Sequence, residues 1–339
     1  MKEYDLVTNY FSDVNVYYVT ENADWIIKSI GLHIKKHINL SMRVTVSDRM
    51  IKNAVIHYGS INVFLNTKGT LPHPSNKIIV SFYHVVEGDP RLTQLAEIKN
   101  YVNLWITACS LTKKMLVDLG IEDSKISIIP LGIDLEDFVS VKTKLNHTSV
   151  LDKYGIPKDK LIIGSFQKDG NGWDEGNEPK LIKGPDIFCD VIDKLHEKLD
   201  LFVILTGPSR GYVKNRLRQS KVPFIHHYTD NREEIIQLFH TLDLYLICSR
   251  LEGGPYALLE AFASNTLLIS TKVGMCIDVI SNYENGILVE SKESQEIVDM
   301  TLKLLQDKSL QKEMKKNAYK TVQHFDWKII SKKYESIYS

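Results

Sequence analysis

The sequence predicts an α/β protein of two doubly wound, Rossmann-like domains. Three observations predict it. Apolar runs of strand length alternate with helix-length amphipathic patterns along most of the chain. The alternation is interrupted once, by a polar, weakly patterned stretch at 139–150. The 339 residues suffice for two cores at a prior of about 150 residues per domain. Strands that alternate with helices imply a mostly parallel sheet covered on both faces.

In the first block the apolar runs predict strands at Val14–Val19, Arg43–Ser47, Asn53–His57, Lys77–Phe82, Asn103–Cys109 and Lys125–Pro130. Helical patterns fall at Asp24–His37, Leu92–Lys99 and Leu111–Leu119, the last stopped by Gly120. In an open sheet, ligands sit outside the carboxyl ends of the strands. Three such ends here carry polar groups: His84 with Glu87, Ser110, and Gly132 with Asp134. His84 is a candidate for chemistry, against the alternative of a hydrogen-bonded structural histidine. The segment from Trp25 to Ile38 mixes bulky apolar residues with cations, which suits either packing on a sheet or weak peripheral contact with an anionic membrane.

After the polar stretch, expected to be a linker, the second block predicts strands at Leu161–Phe166, Leu201–Thr206, Pro223–Tyr228, Leu242–Cys248, Leu267–Thr271 and Gly286–Val289. Its helical patterns are Pro185–Leu199, Arg232–Thr241, Pro255–Ala263, Ser294–Gln306 and Leu310–His324. The closing segment, Phe325 to Tyr338, is amphipathic and aromatic and suits packing back on the first domain. The expected domains are therefore 1–145 together with 325–339, and 150–324.

Composition narrows the function. With 43% hydrophobic and 25% charged residues the chain is an ordinary globular protein. Lys plus Arg equals Asp plus Glu at 42 each, so no global charge draws it to nucleic acid. No apolar run approaches the ~18 residues of a membrane span, and the N-terminal residues lack the basic and apolar zones of a signal peptide. The expectation is a cytoplasmic protein. Cys109, Cys189, Cys248 and Cys276 lack metal-site spacing and are expected as reduced, buried thiols.

The most informative stretch is Cys248-Ser249-Arg250-Leu251-Glu252-Gly253-Gly254-Pro255-Tyr256-Ala257-Leu258-Leu259-Glu260-Ala261. It leaves a strand, turns on Gly253-Gly254-Pro255 and enters a helix. Backbone amides at such a turn, beside glycines that admit close approach, form an anion site. At this spacing Glu252 can face a group next to the anion while Glu260 reaches a neighbouring hydroxyl, as a nucleoside diphosphate joined to a sugar requires. The alternative is a surface turn with two solvated acids. A second functional candidate is the long glycine-rich loop from Gln167 to Gly184. Lys168 leaves its strand and Lys183 precedes the next helix, so both can converge on the same anion, unless they are solvated surface lysines.

Several chemistries are excluded by what is missing. No Gly-x-Gly-x-x-Gly opens a helix after a strand, and there is no Walker A sequence, His-Glu-x-x-His or Gly-x-Ser-x-Gly. There is also no Asp-x-Asp pair to hold a divalent metal on donor phosphates. Any bound diphosphate must be neutralised by protein cations and helix amides, with no metal or other cofactor.

Glu252-x7-Glu260 around Gly-Gly-Pro resembles the Glu-x7-Glu signature of the retaining glycosyltransferases of family 4, which have the GT-B fold of two facing doubly wound domains. Further similarities run in order along the chain: Ala108 to Lys114, Leu119-Gly120-Ile121 to Ile133-Asp134, Leu205-Thr206-Gly207-Pro208, Val273-Gly274, Glu284 to Val289, and Phe325-Asp326-Trp327. The resemblance implies an acceptor-side first domain, with a C-terminal helix crossing back to it, and a donor-binding second domain. It implies that Glu252 and the amides of Gly253 and Gly254 contact the donor sugar, that the amides near Leu258 and Leu259 meet the distal phosphate, and that Glu260 binds the ribose. Lys183 matches the family's phosphate-binding lysine, Gly207 its next glycine turn, and His84 a first-domain histidine near the transferred sugar. Lys168 stands where the family usually has arginine, a weaker single-point contact. The opening turn, Glu21-Asn22-Ala23-Asp24-Trp25, lacks the family's glycine pair. The expected partners are a UDP- or GDP-sugar and a glycan, lipid-linked or small-molecule acceptor. The alternatives are a non-catalytic nucleotide-sugar-binding subunit and a nucleotide-sugar epimerase of the same fold.

Overall fold

Runs dense in Ile, Val and Leu become strands in the computed structural model, which describes residues 14–22, 26–66, 71–83, 85–86, 88–290 and 293–339. The first six are β1 (Val16–Val19), β2 (Met42–Thr45), β3 (Val55–Tyr58), β4 (Lys77–Phe82), β5 (Leu104–Thr107) and β6 (Ile126–Ile128). They pair in parallel in the order β2-β1-β3-β4-β5-β6. A second parallel sheet comprises β7 (Leu161–Phe166), β8 (Leu201–Thr206), β9 (Phe224–His226), β10 (Leu244–Ile247), β11 (Leu267–Thr271) and β12 (Ile287–Val289), in the order β12-β11-β10-β7-β8-β9. Every residue of β8, Leu-Phe-Val-Ile-Leu-Thr, is buried, as a strand covered on both faces requires. The result is a two-domain, Rossmann-like α/β fold.

Described residues up to Gly132, together with Phe325–Ser339, form one unit, and Ile133–His324 form the second. Each has its own apolar core, one around Ile56, Val80, Phe82 and Trp105 and the other around Val191, Val203, Leu205 and Val298. The stretch 139–150 is not a linker. It contributes to helices Leu135–Lys144 and His147–Tyr154, the second capped by the Asn146 side chain, which accepts from the Ser149 amide at 3.1 Å. Phe138 and Val141 are buried in the first helix, and Val150 and Leu151 in the second. With Leu135, three buried apolar residues anchor the first helix and two the second, too few to register as a hydrophobic period against the polar residues around them.

In the first unit, helix Ile26–His37 buries Ile30 and Ile34, so the apolar residues it leaves to solvent are Ile26 and Leu32. Asp326 caps helix Trp327–Tyr338, accepting from the Lys328 amide at 2.8 Å, and Trp327, Ile330, Tyr334 and Tyr338 are buried along one face. The Tyr338 hydroxyl lies 2.6 Å from His57 Nδ1, whose Nε2 is 2.8 Å from Ser81 Oγ. Burial holds this imidazole down to a pKa of about 3, so it is neutral at physiological pH. No helix among the described residues is long and apolar enough to cross a membrane. All four cysteines are buried, and none is in a disulfide.

Candidate functional site

In the second sheet, connections run outward in opposite directions from β7 and β10, which lie side by side. Such a switch point leaves a crevice at the carboxyl ends of the two strands, where ligands of open α/β sheets bind. The sequence candidates Lys168 and Lys183 follow β7, and Glu252 follows β10.

Lys183 reaches that point because of the glycine beside it. Gly184 has φ +63° and sits so close to the end of β10 that a Cβ there would fall 1.8 Å from the Cys248 carbonyl oxygen. Only glycine accommodates both the left-handed backbone and this approach. The chain then enters helix Pro185–His196 with Pro185 in its first turn. Lys183 Nζ donates to both carboxylate oxygens of Glu252, at 2.7 Å each. Ser249 Oγ donates to Glu252 Oε1 at 2.8 Å, a second hold on the carboxylate. Glu252 is 8% exposed.

The loop between β7 and Lys183 is folded. Gly170 and Pro179 form an antiparallel bridge, the Asn171 amide donates to the Glu178 carbonyl at 2.9 Å, and the Lys180 amide donates to the Asp169 carbonyl at 2.8 Å. Its tip is tied to helix Gly211–Gln219, whose Gly211 and Tyr212 amides donate to the Glu175 and Gly176 carbonyls at 2.6 and 2.9 Å. At its base lies a buried ion pair, Arg210 Nε to Asp169 Oδ1 at 2.9 Å. Arg210 Nη1 also donates to the carbonyls of Ser165, Gln167 and Thr206, at 2.6, 3.1 and 2.8 Å, at the ends of β7 and β8. Burial pushes the Asp169 carboxyl up and Arg210 opposes it.

Lys168 Nζ lies 3.5 Å from the centre of the Trp173 ring, a cation–π contact that holds the lysine on the loop. Lys180 is half-buried in the same neighbourhood. Burial, then the charges of Lys183 and Lys168, hold its ammonium below the usual lysine range, and Glu252 opposes them. Three lysines thus share one field with the buried Glu252 carboxylate.

Glu260, 7% exposed, pairs with Arg232 Nη1. The guanidinium carbon lies 5.3 Å from the Phe138 ring centre and 5.7 Å from that of Tyr256. The helix expected from Pro255 starts at Tyr256, with Pro255 as its N-cap. The Leu258 amide donates to the Pro255 carbonyl at 3.1 Å, so this amide, one of those expected on the distal phosphate, is already engaged. The Leu258 and Leu259 side chains are fully buried. Gly253 is buried and Gly254 half-buried at the turn. Gly207, φ +88°, packs against the Gln167 carbonyl, which a Cβ would approach to 2.5 Å, and its own carbonyl takes His226 Nε2 at 2.8 Å. His84 and Glu87 lie outside the described residues.

The structure therefore gathers Lys168, Lys183 and Glu252 around the switch point, joined by Lys180, Asp169, Arg210 and Ser249, which the sequence reasoning missed. Arg232 was also missed. A cation in the first turn of a helix opposes the macrodipole and calls for a partner, and that was its one signal.

Residues 179–321 match the model of the family described as glycosyl transferases group 1. An N,N'-diacetylbacillosaminyl-diphospho-undecaprenol alpha-1,3-N-acetylgalactosaminyltransferase from Campylobacter jejuni is 29% identical over 65% of this chain and 56% of its own. An N-acetyl-alpha-D-glucosaminyl L-malate synthase from Bacillus anthracis is 26% identical over 58% of this chain and 49% of its own. The chain thus spans about half the length of these relatives. Among solved structures, a glycosyltransferase from Rickettsia africae superposes with a TM-score of 0.73 at 16% identity, over 97% of this chain and 98% of that one. HepE of Anabaena, solved in complex with UDP and glucose, gives a TM-score of 0.76 at 13% identity, over 96% and 99%. These likenesses establish the fold.

Proposed function

We propose that this chain, which carries a glycosyl transferases group 1 domain at residues 179–321, is a retaining, metal-independent glycosyltransferase. It moves a sugar from a nucleoside-diphosphate sugar to an acceptor hydroxyl in glycan or glycoconjugate synthesis. The observation that carries the proposal is the bidentate contact of Lys183 with Glu252 at the β7/β10 switch point, beside the Gly253-Gly254 turn.

The difficult step is cleavage of the bond between the anomeric carbon and the diphosphate oxygen. The diphosphate gains negative charge as the sugar becomes oxocarbenium-like. Lys183 and Lys168, with Lys180 behind them, supply positive charge for the former, and the Gly253 and Gly254 amides add fixed dipoles that need no reorganisation. Glu252 is held by Lys183 and Ser249 where it can take a hydroxyl of the donor sugar. Glu260, steadied by Arg232, is the acceptor for a ribose hydroxyl. His84 is assigned to the transferred sugar on the family resemblance. HepE, a structural neighbour, was solved with UDP and with UDP-glucose, which makes a uridine donor the first to try. The Campylobacter jejuni relative carries a diphospho-undecaprenol in its name, which supports a lipid-linked acceptor as a candidate.

The test is release of nucleoside diphosphate from a panel of UDP- and GDP-sugars in the presence of an acceptor extract. Acceptor-dependent release that chelator leaves unchanged supports the proposal. Lys183→Ala is expected to lower the rate about a hundredfold, ~3 kcal/mol of transition-state stabilisation. Turnover without acceptor would indicate an epimerase, and binding without turnover a non-catalytic subunit.

A further inference from the structure

At the other end of the second sheet lies a cavity of about 620 Å³. Six of its lining residues are lysines, Lys142, Lys158, Lys160, Lys312, Lys315 and Lys316, and Asp243 is its one acid. His147 and His240 complete the basic lining. Asp243 is already used as a backbone cap, its Oδ2 accepting from the Ile162 amide at 2.9 Å. Three of the lysines have carboxylates of their own: Lys158 pairs with Asp152 and Lys160 with Asp200, both at 2.8 Å, and Lys316 with Glu313 at 3.0 Å. Lys142 and Lys312 have no ion-pair partner among the described residues. The cavity therefore carries a surplus of positive charge in a protein with none overall.

Ser264 is an independent observation. It lines the same cavity, is 6% exposed, and its hydroxyl has no hydrogen-bond partner among the described residues. A buried hydroxyl normally has one, and its absence is costly. Burial acts on two groups of the lining, with nearby cations adding to it. Burial holds the Lys315 ammonium below the usual lysine range, Asp243 opposes this and Lys308 adds to it. Burial lowers His240, against its contact with the Phe138 carbonyl, and Lys142 lowers it further. An anion in the cavity would offset the like charges and give the Ser264 hydroxyl a partner.

We propose that this cavity is a second anion site, taking the phosphate group of a soluble phosphorylated molecule or of a phospholipid headgroup. A concave site lined by one sign of charge concentrates the opposite ion, and lysines bind phosphate as mobile point charges. It is separate from the donor site. Asp243 precedes β10 and Cys248 follows it, and the five steps between them rise ~3.3 Å each, so roughly 16 Å of strand divides the two.

The experiment is calorimetric titration of inorganic pyrophosphate into the full chain, at low and at physiological salt. The variants are Lys183→Ala, Lys142→Gln/Lys312→Gln, and the latter with Lys315→Gln added. The wild type is expected to take up two pyrophosphates. Lys183→Ala loses one and the triple variant the other, weakened about tenfold or more. The double variant changes two exposed side chains, so its fold is not at risk, and it weakens the same site by a smaller factor. An unchanged second site in both variants overturns the proposal. If Lys183→Ala alone is without effect, the donor-site assignment fails and this one stands. Sedimentation with phosphatidylcholine vesicles containing phosphatidylglycerol identifies the source. Vesicle binding lost in the triple variant and competed by pyrophosphate supports the headgroup, and pyrophosphate binding without vesicle binding supports the soluble ligand.

Discussion

Replacing Lys183 with methionine keeps the length of the side chain and strands the Glu252 carboxylate. In the structure both oxygens of Glu252 take Lys183 Nζ at 2.7 Å, and the side chains are 19% and 9% exposed. Breaking a buried pair from one side costs 3–5 kcal/mol, and partial access of water at Lys183 puts the expectation at the low end, about 3 kcal/mol. In a unit of this size each kcal/mol lowers the melting temperature by roughly 2–4 °C, so Lys183→Met should melt about 9 °C lower. Glu252→Gln alone should cost less, about 1 kcal/mol, because the freed ammonium can reach water. The double variant strands no charge and should be more stable than Lys183→Met by more than about 1 kcal/mol, yet bind no nucleoside diphosphate. The assay is thermal and urea unfolding of the four proteins as a double-mutant cycle. Costs that add to within about 0.5 kcal/mol would mean that the two groups do not interact, and would refute the pairing.

Other consequences can be checked in the same way. His57 is neutral in the fold, with its pKa near 3, whereas the unfolded chain binds a proton below about 6.5. The unfolded state therefore holds more protons in that window, so His57 stabilises fully above pH 6.5 and loses its contribution as the pH falls towards 3. Between pH 8 and 4.5 this amounts to about 2.7 kcal/mol, and His57→Gln should flatten the pH dependence of urea unfolding by that much. Gly184→Ala would put a methyl group on the Cys248 carbonyl, so it should cost ~2 kcal/mol or more and weaken diphosphate binding by displacing Lys183. Asp169→Asn leaves the Arg210 charge buried without its counter-ion and should destabilise by about 3 kcal/mol, measured by urea unfolding.

The sheets were legible because parallel strands buried on both faces read as continuous apolar runs. Leu201–Thr206 and Leu267–Thr271 needed no further context. Helices held by few apolar residues were not legible. Gly211–Gln219 buries only Gly211, Val213 and Leu217, and its amides at Gly211 and Tyr212 are satisfied by a loop that the local sequence does not reveal. Lys183 and Glu252 stood out as candidates because each adjoins a glycine at a turn, Gly184 at the start of a helix and Gly253 after β10. Lys180 carries no such mark, and its place beside Lys168 and Lys183 follows from the Gly170–Pro179 bridge. The Asp169–Arg210 pair joins two loops that only the pairing of β7 with β8 brings together. The sequence left Glu260 open between an acid reaching a ligand hydroxyl and a solvated surface acid, and the fold buries it. Its partner Arg232 lies on another helix and was not found.

In the proposed function a nucleoside diphosphate sits on Lys183 at the Gly253-Gly254 turn. Calorimetric titration of UDP and GDP into the wild type and Lys183→Ala, with chelator present throughout, tests it most directly. At least one of the two nucleotides is expected to bind without metal, and Lys183→Ala to weaken it by about tenfold or more. Equal affinity for the two proteins, or binding that appears only when a divalent metal is added, would contradict it.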